Sequence, residues 1–182
     1  MKLIKEFWPA LKFLLTFIGV YFAGNVIYGA YIEFVQPTPD LFTRAIAEQT
    51  SWILNLFNEP VSTQMNKGGS TVFLNRESNA VLNIYEGCNG VNVFIVFVAF
   101  LLAFPGHRKI KIAFLAIGCC LINISNVIRI VLLYFVSLHY QTYFYFIHKY
   151  IFTIVLYAIV VIMWMAFVKR LSPNAKTEKS AS

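Results

Sequence analysis

The chain contains four long stretches that carry almost no charge. They lie at residues 13–32, 87–106, 112–138 and 150–168, and the only charged residue inside them is Arg129. Each stretch is continuously apolar and lacks strand alternation, which indicates a helix. A helix needs about 20 apolar residues to cross the roughly 30 Å hydrocarbon core of a bilayer. The pattern predicts an all-α integral membrane protein, a four-transmembrane-helix bundle with spans at about 13–32, 88–106, 112–138 and 149–168.

The first stretch follows Lys2 and Lys5, as the apolar part of a secretory signal does. The apolar part of a signal is only about 7–15 residues long, and this stretch is longer. We therefore interpret it as a retained membrane anchor.

Basic residues are concentrated beside the predicted helices. They lie before the first span, in the turn at 107–111 and after the last span, whereas residues 33–87 hold six of the eight acidic residues. By the positive-inside rule, the basic segments are cytoplasmic. We expect both termini inside, residues 33–87 and the loop 139–149 outside, and a flexible cytoplasmic tail at 171–182.

The composition agrees with a membrane protein. Hydrophobic residues make up 59% of the 182 residues, and charged residues only 13%. A soluble domain has about 25% charged residues, so disorder, a nucleic-acid arm and an ordinary cytosolic enzyme are excluded. The net charge of +7 belongs to the cytoplasmic segments, so we expect membrane lipid and no nucleic acid as a partner. At this length we expect one domain, 1–182.

The outer segment, residues 33–87, is too long for a bare turn. Asp40 after Pro37-Thr-Pro suits an N-cap, and apolar positions then recur at helical spacing over 40–57. This predicts an amphipathic helix that either lies on the bilayer surface or packs against the rest of the outer segment. Residues 70–75 and 80–85 then suit a small β-hairpin that leads towards Cys88.

Arg129 is the only charge within the four apolar stretches. A charge at the centre of a bilayer costs about 2.5–3.5 kcal/mol on insertion scales, so it calls for a reason. We expect it roughly 13 Å below the outer end of its helix. Asn123, Asn126 and Arg129 share one helical face, which should point into the bundle and could orient the guanidinium. The alternative is a structural role as interhelical hydrogen bonds.

Cys88 begins the second span at its outer end, where the helix dipole favours a thiolate. Cys119 and Cys120 lie in an apolar stretch and are interpreted as inert packing residues. His148 begins the last span at the outer boundary and is favoured over His139, which lies in a loop. The third histidine, His107, is expected to be solvated in the cytoplasmic turn.

Cys88, Arg129 and His148 thus come from three helices and lie towards the same side of the membrane. A cysteine can act as nucleophile and a histidine as base and then acid. Arginine keeps its charge and suits stabilisation of an oxyanion. Three polar residues on one side of a bundle can also form a purely structural network.

These residues occur in three short motifs, Cys88-Asn89-Gly90, Asn126-Val-Ile-Arg129 and His148 at the head of the last helix. Together they resemble the exosortase/archaeosortase family of multi-pass membrane proteins, and most of all the small exosortase F type, over roughly residues 85–164. Serine is common at the position of Asn89, larger members have more spans, and segment 33–87 has no counterpart.

The resemblance implies a cysteine protease-transpeptidase of the bacterial plasma (inner) membrane whose active site faces the periplasm. It implies catalytic roles for Cys88, Arg129 and His148, with Asn126 in support, and a thioester acyl-enzyme. The implied substrate is a C-terminal sorting signal of secreted proteins, which combines a short motif, a hydrophobic helix and a basic end.

Other functions remain open at this stage. A non-enzymatic assembly or scaffold protein would use the same polar residues to hold helices together. A membrane thiol-disulfide oxidoreductase needs a second outward cysteine beside Cys88, and a transporter would use Arg129 on an ion path. No His, Cys or carboxylate cluster has ligand spacing, so we expect no metal and no cofactor. The recognition motif, the acceptor and the oligomeric state stay open.

Overall fold

The computed structural model describes residues 2–66 and 68–171, and most of the predicted tail 171–182 lies outside the described residues. Its helices are α1 (Lys2–Val35), α2 (Leu41–Leu56), α3 (Val91–Ala103), α4 (Arg108–His139), α5 (Phe144–Phe146) and α6 (Phe152–Leu171). Its strands are β1 (Val61–Met65), β2 (Val72–Arg76) and β3 (Asn79–Ile84). Short 3-10 turns at Glu86–Cys88 and Gln141–Tyr143 and a π-helical turn at Ile147–Ile151 complete the described elements.

Among the described residues, three helices are long and apolar enough to cross a membrane. These candidate spans are Phe7–Val35, Arg108–His139 and Gln141–Arg170. The fourth predicted span corresponds to α3, which is apolar but has only 13 residues. At 1.5 Å per residue it covers about 20 Å, less than the hydrocarbon core. The described residues thus form a mostly helical membrane protein with three spans of full length.

A first hydrophobic core lies among α3, α4 and α6. Its buried members are Val93, Phe97, Leu101, Ile122, Leu156, Val160, Met163 and Phe167. Gly118 of α4 lets the helices approach here, because a Cβ atom at this position would lie 2.7 Å from the Cε atom of Met163. The first helix joins this bundle along α3, where Phe13 makes an edge-to-face contact with Phe100 at 5.7 Å between ring centroids.

A second hydrophobic core lies among α2, the strands and the C-terminal half of α4. Its buried members include Ile46, Ala47, Leu54, Val61, Val72, Leu74, Ile84, Cys88, Val127, Ile130, Leu133 and Tyr134. Helix α4 has 32 residues, about 48 Å, which is why one helix contributes to both cores. Cys88 therefore belongs to the core beside α2 and the strands.

Helix α2 begins as predicted, since Oδ1 of Asp40 accepts hydrogen bonds from the amides of Phe42 (2.9 Å) and Thr43 (3.1 Å). Its buried face is made of small and aliphatic residues and packs on β1, β2 and α4. The more apolar face remains exposed, with Trp52 66% and Leu56 63% accessible. The helix thus packs on the second core and also presents an apolar face outward.

The strands form a three-stranded antiparallel sheet in the order β1-β2-β3, where the sequence predicted a two-stranded hairpin. The two predicted stretches overlap β2 and β3. Strand β1 was missed because Val61 is its only buried residue, so it lacks the alternation that predicts a half-buried strand. Strand β3 leads through Tyr85 into the 3-10 turn that carries Cys88.

Candidate active site

Cys88 lies at the end of the 3-10 turn that precedes α3, and its side chain is only 3% exposed. The chain then turns at Gly90, whose φ of 81° lies in the left-handed region. From α4, the amide Nδ2 of Asn126 donates a 2.9 Å hydrogen bond to the Cys88 carbonyl oxygen. This turn is therefore fixed against α4 through its backbone.

His148 lies in the π-helical turn just before α6. Its Nε2 atom is 3.4 Å from the Sγ atom of Cys88. The ring of Phe144 stacks over the imidazole at 5.8 Å between centroids and 3° between planes. Single π-helical turns are rare and often occur at functional sites, and this one holds the imidazole against the thiol.

Arg129 reaches the same imidazole from α4. One of its terminal nitrogens lies 3.2 Å from the Nε2 atom of His148, and its side chain is 8% exposed. A guanidinium group can only donate hydrogen bonds. In this contact Nε2 must accept, so Nε2 carries no proton. The thiol and the guanidinium thus face the same lone pair.

The thiol borders a small cavity. It has a volume of about 60 Å³ and is lined by Leu82, Ile84, Tyr85, Ile130, Leu133 and Phe144 together with Cys88 and His148. Since a cavity needs about 10–15 Å³ on this measure to hold one water molecule, this cavity has room for a few water molecules but not for a peptide. A peptide can reach the thiol only if part of this lining moves.

The pKa of Cys88 is shifted upward, whereas the sequence predicted a stabilised thiolate and therefore a lowered pKa. Burial raises the pKa of the Cys88 thiol, and the Arg129 charge and the hydrogen-bonding groups of Tyr85 offset only part of this effect. The expected helix dipole is less favourable than assumed, because Cys88 precedes the first residue of α3 by a turn. Burial thus works against the thiolate that the helix dipole was expected to favour.

The four residues predicted from the sequence, Cys88, Asn126, Arg129 and His148, lie together in the structure. The sequence predicted that Asn126 could orient Arg129. In the structure its side chain donates instead to the Cys88 carbonyl oxygen. Asn123 donates instead to Gln49 of α2 at 2.9 Å. The amides that share a face of α4 thus fix the elements around Arg129.

Other predicted residues lie away from the thiol. His139 is exposed at the end of α4 beside Tyr140, and His107 is exposed before α4. Cys119 and Cys120 are exposed, which corrects their interpretation as packing residues. Cys119 lines a pocket between α3 and α4 together with Phe94 and Ile122.

Sequence reasoning missed two features of the site. It did not identify Tyr85 and Phe144 as lining residues, and it gave no role to the side chain of Asn89. The side chain of Asn89 is buried and meets residues from α1 and α2. The only signal for this cluster was the predicted N-cap Asp40, because long-range contacts between loops and helices leave no periodic pattern.

Within residues 2–66 and 68–171, no group of three or more His, Cys, Asp or Glu side chains is arranged to hold a metal ion. The candidate site consists of the Cys88 thiol, the His148 imidazole and the Arg129 guanidinium with their immediate neighbours.

The model of the family described as Transmembrane exosortase (Exosortase_EpsH) matches residues 2–167. The chain belongs to the transmembrane exosortase family. The family expected from the three sequence motifs is therefore confirmed, and the matched range includes the four site residues. No curated protein and no solved structure matches the chain.

Proposed function

We propose that this exosortase is a membrane-embedded cysteine peptidase or transpeptidase of the small F type. In this proposal it cleaves a C-terminal sorting signal of exported proteins at the outer face of the bacterial plasma membrane. The observation that carries the proposal is the contact of the His148 Nε2 atom with both the Cys88 sulfur (3.4 Å) and Arg129 (3.2 Å). A nucleophile, a base and a fixed cation are the groups that acyl transfer needs.

The proposed reaction begins when His148 takes the thiol proton and the Cys88 sulfur attacks the scissile carbonyl carbon. The resulting oxyanion is stabilised by the Arg129 guanidinium. His148 then returns the proton to the leaving amine, the C–N bond breaks, and a thioester remains on Cys88. An amine resolves the thioester by transfer, or water resolves it by hydrolysis.

The geometry places one requirement on this sequence of steps. The Nε2 atom has a single lone pair, and Arg129 and the thiol both face it. His148 can accept the thiol proton only when Arg129 donates elsewhere. A carbonyl oxygen developing negative charge is a stronger acceptor than a neutral imidazole. We infer that substrate binding draws Arg129 from His148 to the oxyanion and so frees the base.

Helix lengths support a site near the membrane surface. The first 20 or so residues of α4 cover about 30 Å, and Arg129 follows them. Helix α6 has 20 residues, and His148 precedes its first residue. Both groups therefore fit the outer boundary rather than a depth of about 13 Å. In this proposal α4 leaves the membrane near Arg129 and continues into the second core, whereas the depth of about 13 Å assumed a span that extends to Leu138.

We propose that α3 is the fourth crossing and that both termini are cytoplasmic. Lys111 at the opposite end of the bundle donates to the carbonyl of Leu102 at 3.2 Å, whereas Gly90 at the start of α3 lies beside Asn126. Helix α3 thus runs antiparallel to α4 between these levels. This arrangement puts the basic turn 107–111 on the side opposite to the thiol, as the positive-inside rule requires.

In this topology the hydrophobic helix of the sorting signal docks laterally against the bundle, with its basic end in the cytoplasm. The scissile bond then lies beside Cys88 at the outer boundary. The exposed apolar face of α2, which includes Trp52 and Leu56, lies on the lipid surface beside the site.

The test uses an exported reporter protein that carries a hydrophobic C-terminal tail with a basic end. Cys88→Ala and Arg129→Ala are expressed separately, and reporter size and release are followed at matched enzyme abundance. The proposal expects loss of processing in both variants. Wild-type processing in both, at normal abundance, contradicts the protease function.

A scaffold function is the second candidate, and it is favoured by the low exposure of Cys88, 3%, in a packed core. A scaffold predicts that Cys88→Ala changes abundance or partner assembly but leaves reporter processing as in the wild type. The same experiment therefore distinguishes the two functions.

A further inference from the structure

A second group of polar side chains lies beside the turn at residues 86–90, which carries Cys88 and is called the nucleophile turn below. Asn89, which follows Cys88 directly, meets Asp40 and Thr43 of α2 and Tyr28 of α1. Asp40 is 1% exposed, Thr43 is fully buried and Asn89 is 6% exposed. Buried polar groups are costly unless their hydrogen bonds are made, so the orientation of each member of this group depends on the others.

The hydrogen bonds of Asn89 have a fixed direction. Its Oδ1 atom accepts from the amide of Val91 at 3.0 Å, at the start of α3. Its Nδ2 atom donates to the Tyr28 hydroxyl at 2.5 Å and to the Thr43 hydroxyl oxygen at 3.2 Å. A flipped amide would lose these bonds, so this orientation is fixed.

Asp40 completes the group from the α2 side. Its carboxylate oxygens lie 3.4 and 3.5 Å from the Asn89 Nδ2 atom. The Thr43 hydroxyl donates to the Asp40 Oδ2 atom and therefore offers only its oxygen to Asn89. The two Asp40 carboxylate oxygens and the Thr43 hydroxyl oxygen thus all face the Asn89 NH₂ group as hydrogen-bond acceptors.

We propose that Asp40 and Asn89 form a positioning pair that holds Cys88 towards His148. The pair connects segment 33–87, whose role the sequence left open, to the turn that carries the thiol. The proposal rests on the proposed function only in treating Cys88 as the nucleophile. Neither residue touches the reacting atoms, and both act through the backbone of the turn.

The pair can be tested by exchanging its donor and acceptor. Asp40→Asn keeps a good N-cap for α2 but places an NH₂ group against the Asn89 NH₂ group. Asn89→Asp places two carboxylates against each other. The double variant Asp40→Asn/Asn89→Asp restores one donor and one acceptor in the reverse order, with an acceptor for the Val91 amide retained.

The position of the Cys88 thiol is measured by the rate at which it is crosslinked to a second thiol at position 148, so the measurement does not depend on enzyme activity. The parent is the full chain in membranes with His148→Cys, and with Cys119 and Cys120 replaced by Ala. After reduction of the membranes, hydrogen peroxide, which is little larger than water and can enter the cavity, oxidises two adjacent thiols to a disulfide, and each peroxide molecule is reduced to two water molecules. Mass analysis of the product identifies the bridge between Cys88 and position 148.

We expect a bridge in the parent, a fall of about tenfold in the initial bridging rate for each single variant, and recovery to within about twofold of the parent in the double variant. Ser51→Ala is the matched control, because Ser51 is buried in α2 and donates to the Val61 carbonyl at 2.8 Å. It should bridge at the parent rate.

Parent-like bridging in Asp40→Asn and Asn89→Asp overturns the proposal. Failure of the double variant to exceed the single variants also overturns it, as does an equal fall in Ser51→Ala, because general loosening would then be the cause. Absence of a bridge in the parent would instead contradict the juxtaposition of Cys88 and position 148, and with it the proposed function.

Discussion

The Nε2 atom of His148 lies 3.4 Å from the Sγ atom of Cys88, although 60 residues separate them in the chain. The thiol comes from a turn before α3, and the imidazole comes from a π-helical turn before α6. Helix α4 passes between these elements and adds Arg129 to the same point. The fold therefore brings the three groups together, two of them from turns that precede helices and one from within α4.

His148→Gln should reduce reporter processing by on the order of 10²–10⁴-fold, because proton transfer by a positioned base contributes a factor of this size. The initial rate of cleavage in membranes is the measurement. His139→Gln is the matched control, since His139 is exposed at the end of α4, and it should retain the wild-type rate. A wild-type rate in His148→Gln together with a loss in His139→Gln would show that the wrong histidine has been assigned.

Arg129→Gln should move the pH dependence of Cys88 alkylation to higher pH. The positive charge of Arg129 favours the thiolate and lowers the pKa of a thiol that burial has raised. Removing the charge raises this pKa further, so less thiolate is present at any pH below the midpoint. The measurement is the rate of iodoacetamide labelling at Cys88 against pH, read by mass spectrometry.

The control for this measurement is Arg76→Gln, because Arg76 pairs with Glu59 at 3.4 Å and its side chain is 43% exposed. It should leave the midpoint unchanged. A midpoint that stays in place or falls in Arg129→Gln would contradict the electrostatic role of Arg129.

Gly90→Ala should destabilise the nucleophile turn. A left-handed backbone costs an L-residue about 1–2 kcal/mol, and a Cβ atom at Gly90 would lie 3.2 Å from Asn126 side-chain atoms. We expect a lower unfolding temperature in detergent and slower processing. Gly29→Ala in α1, where a Cβ atom meets nothing within 4 Å, should be neutral or stabilising. Equal behaviour of the two variants would contradict the tight turn.

Gly118→Ala should loosen the packing of α3, α4 and α6. Its Cβ atom would collide with the ring of Phe97 and lie 2.7 Å from Met163, and overpacking typically costs about 1–3 kcal/mol. Thermal unfolding in detergent is the measurement, with Gly19→Ala as a control in open space. A wild-type unfolding temperature for Gly118→Ala would mean that these helices do not approach as closely as the structure shows.

The sequence predicted the parts of the fold that depend on local pattern. The long helices follow from uninterrupted apolar runs, and the start of α2 follows from Asp40 as its N-cap. The sheet was only partly predicted, because β1 has a single buried residue and its pairing with β2 is set by tertiary contacts. The short length of α3 was also missed, since its apolar run continues into the turns on either side.

The convergence of Cys88, Arg129 and His148 was predicted because topology puts the starts of two helices and the C-terminal half of α4, which carries Arg129, on one side of the bundle. The environment of the thiol was not predictable in this way. Its raised pKa comes from burial among side chains of β3, α4 and α5, and the role of Asn89 depends on the register of α2 against the turn. Both are properties of packing, which leaves no mark in residue spacing.

The central claim is that the Cys88 sulfur carries the acyl group, and mass analysis of the enzyme after rapid acid quenching tests it most directly. With the reporter present, we predict a hydroxylamine-sensitive adduct on the peptide that contains Cys88, equal in mass to the acyl part of the cleaved reporter. The adduct should be absent when Cys88 is replaced by Ala. Reporter cleavage that proceeds at the same rate in Cys88→Ala, with no adduct on the wild-type peptide, would contradict the account.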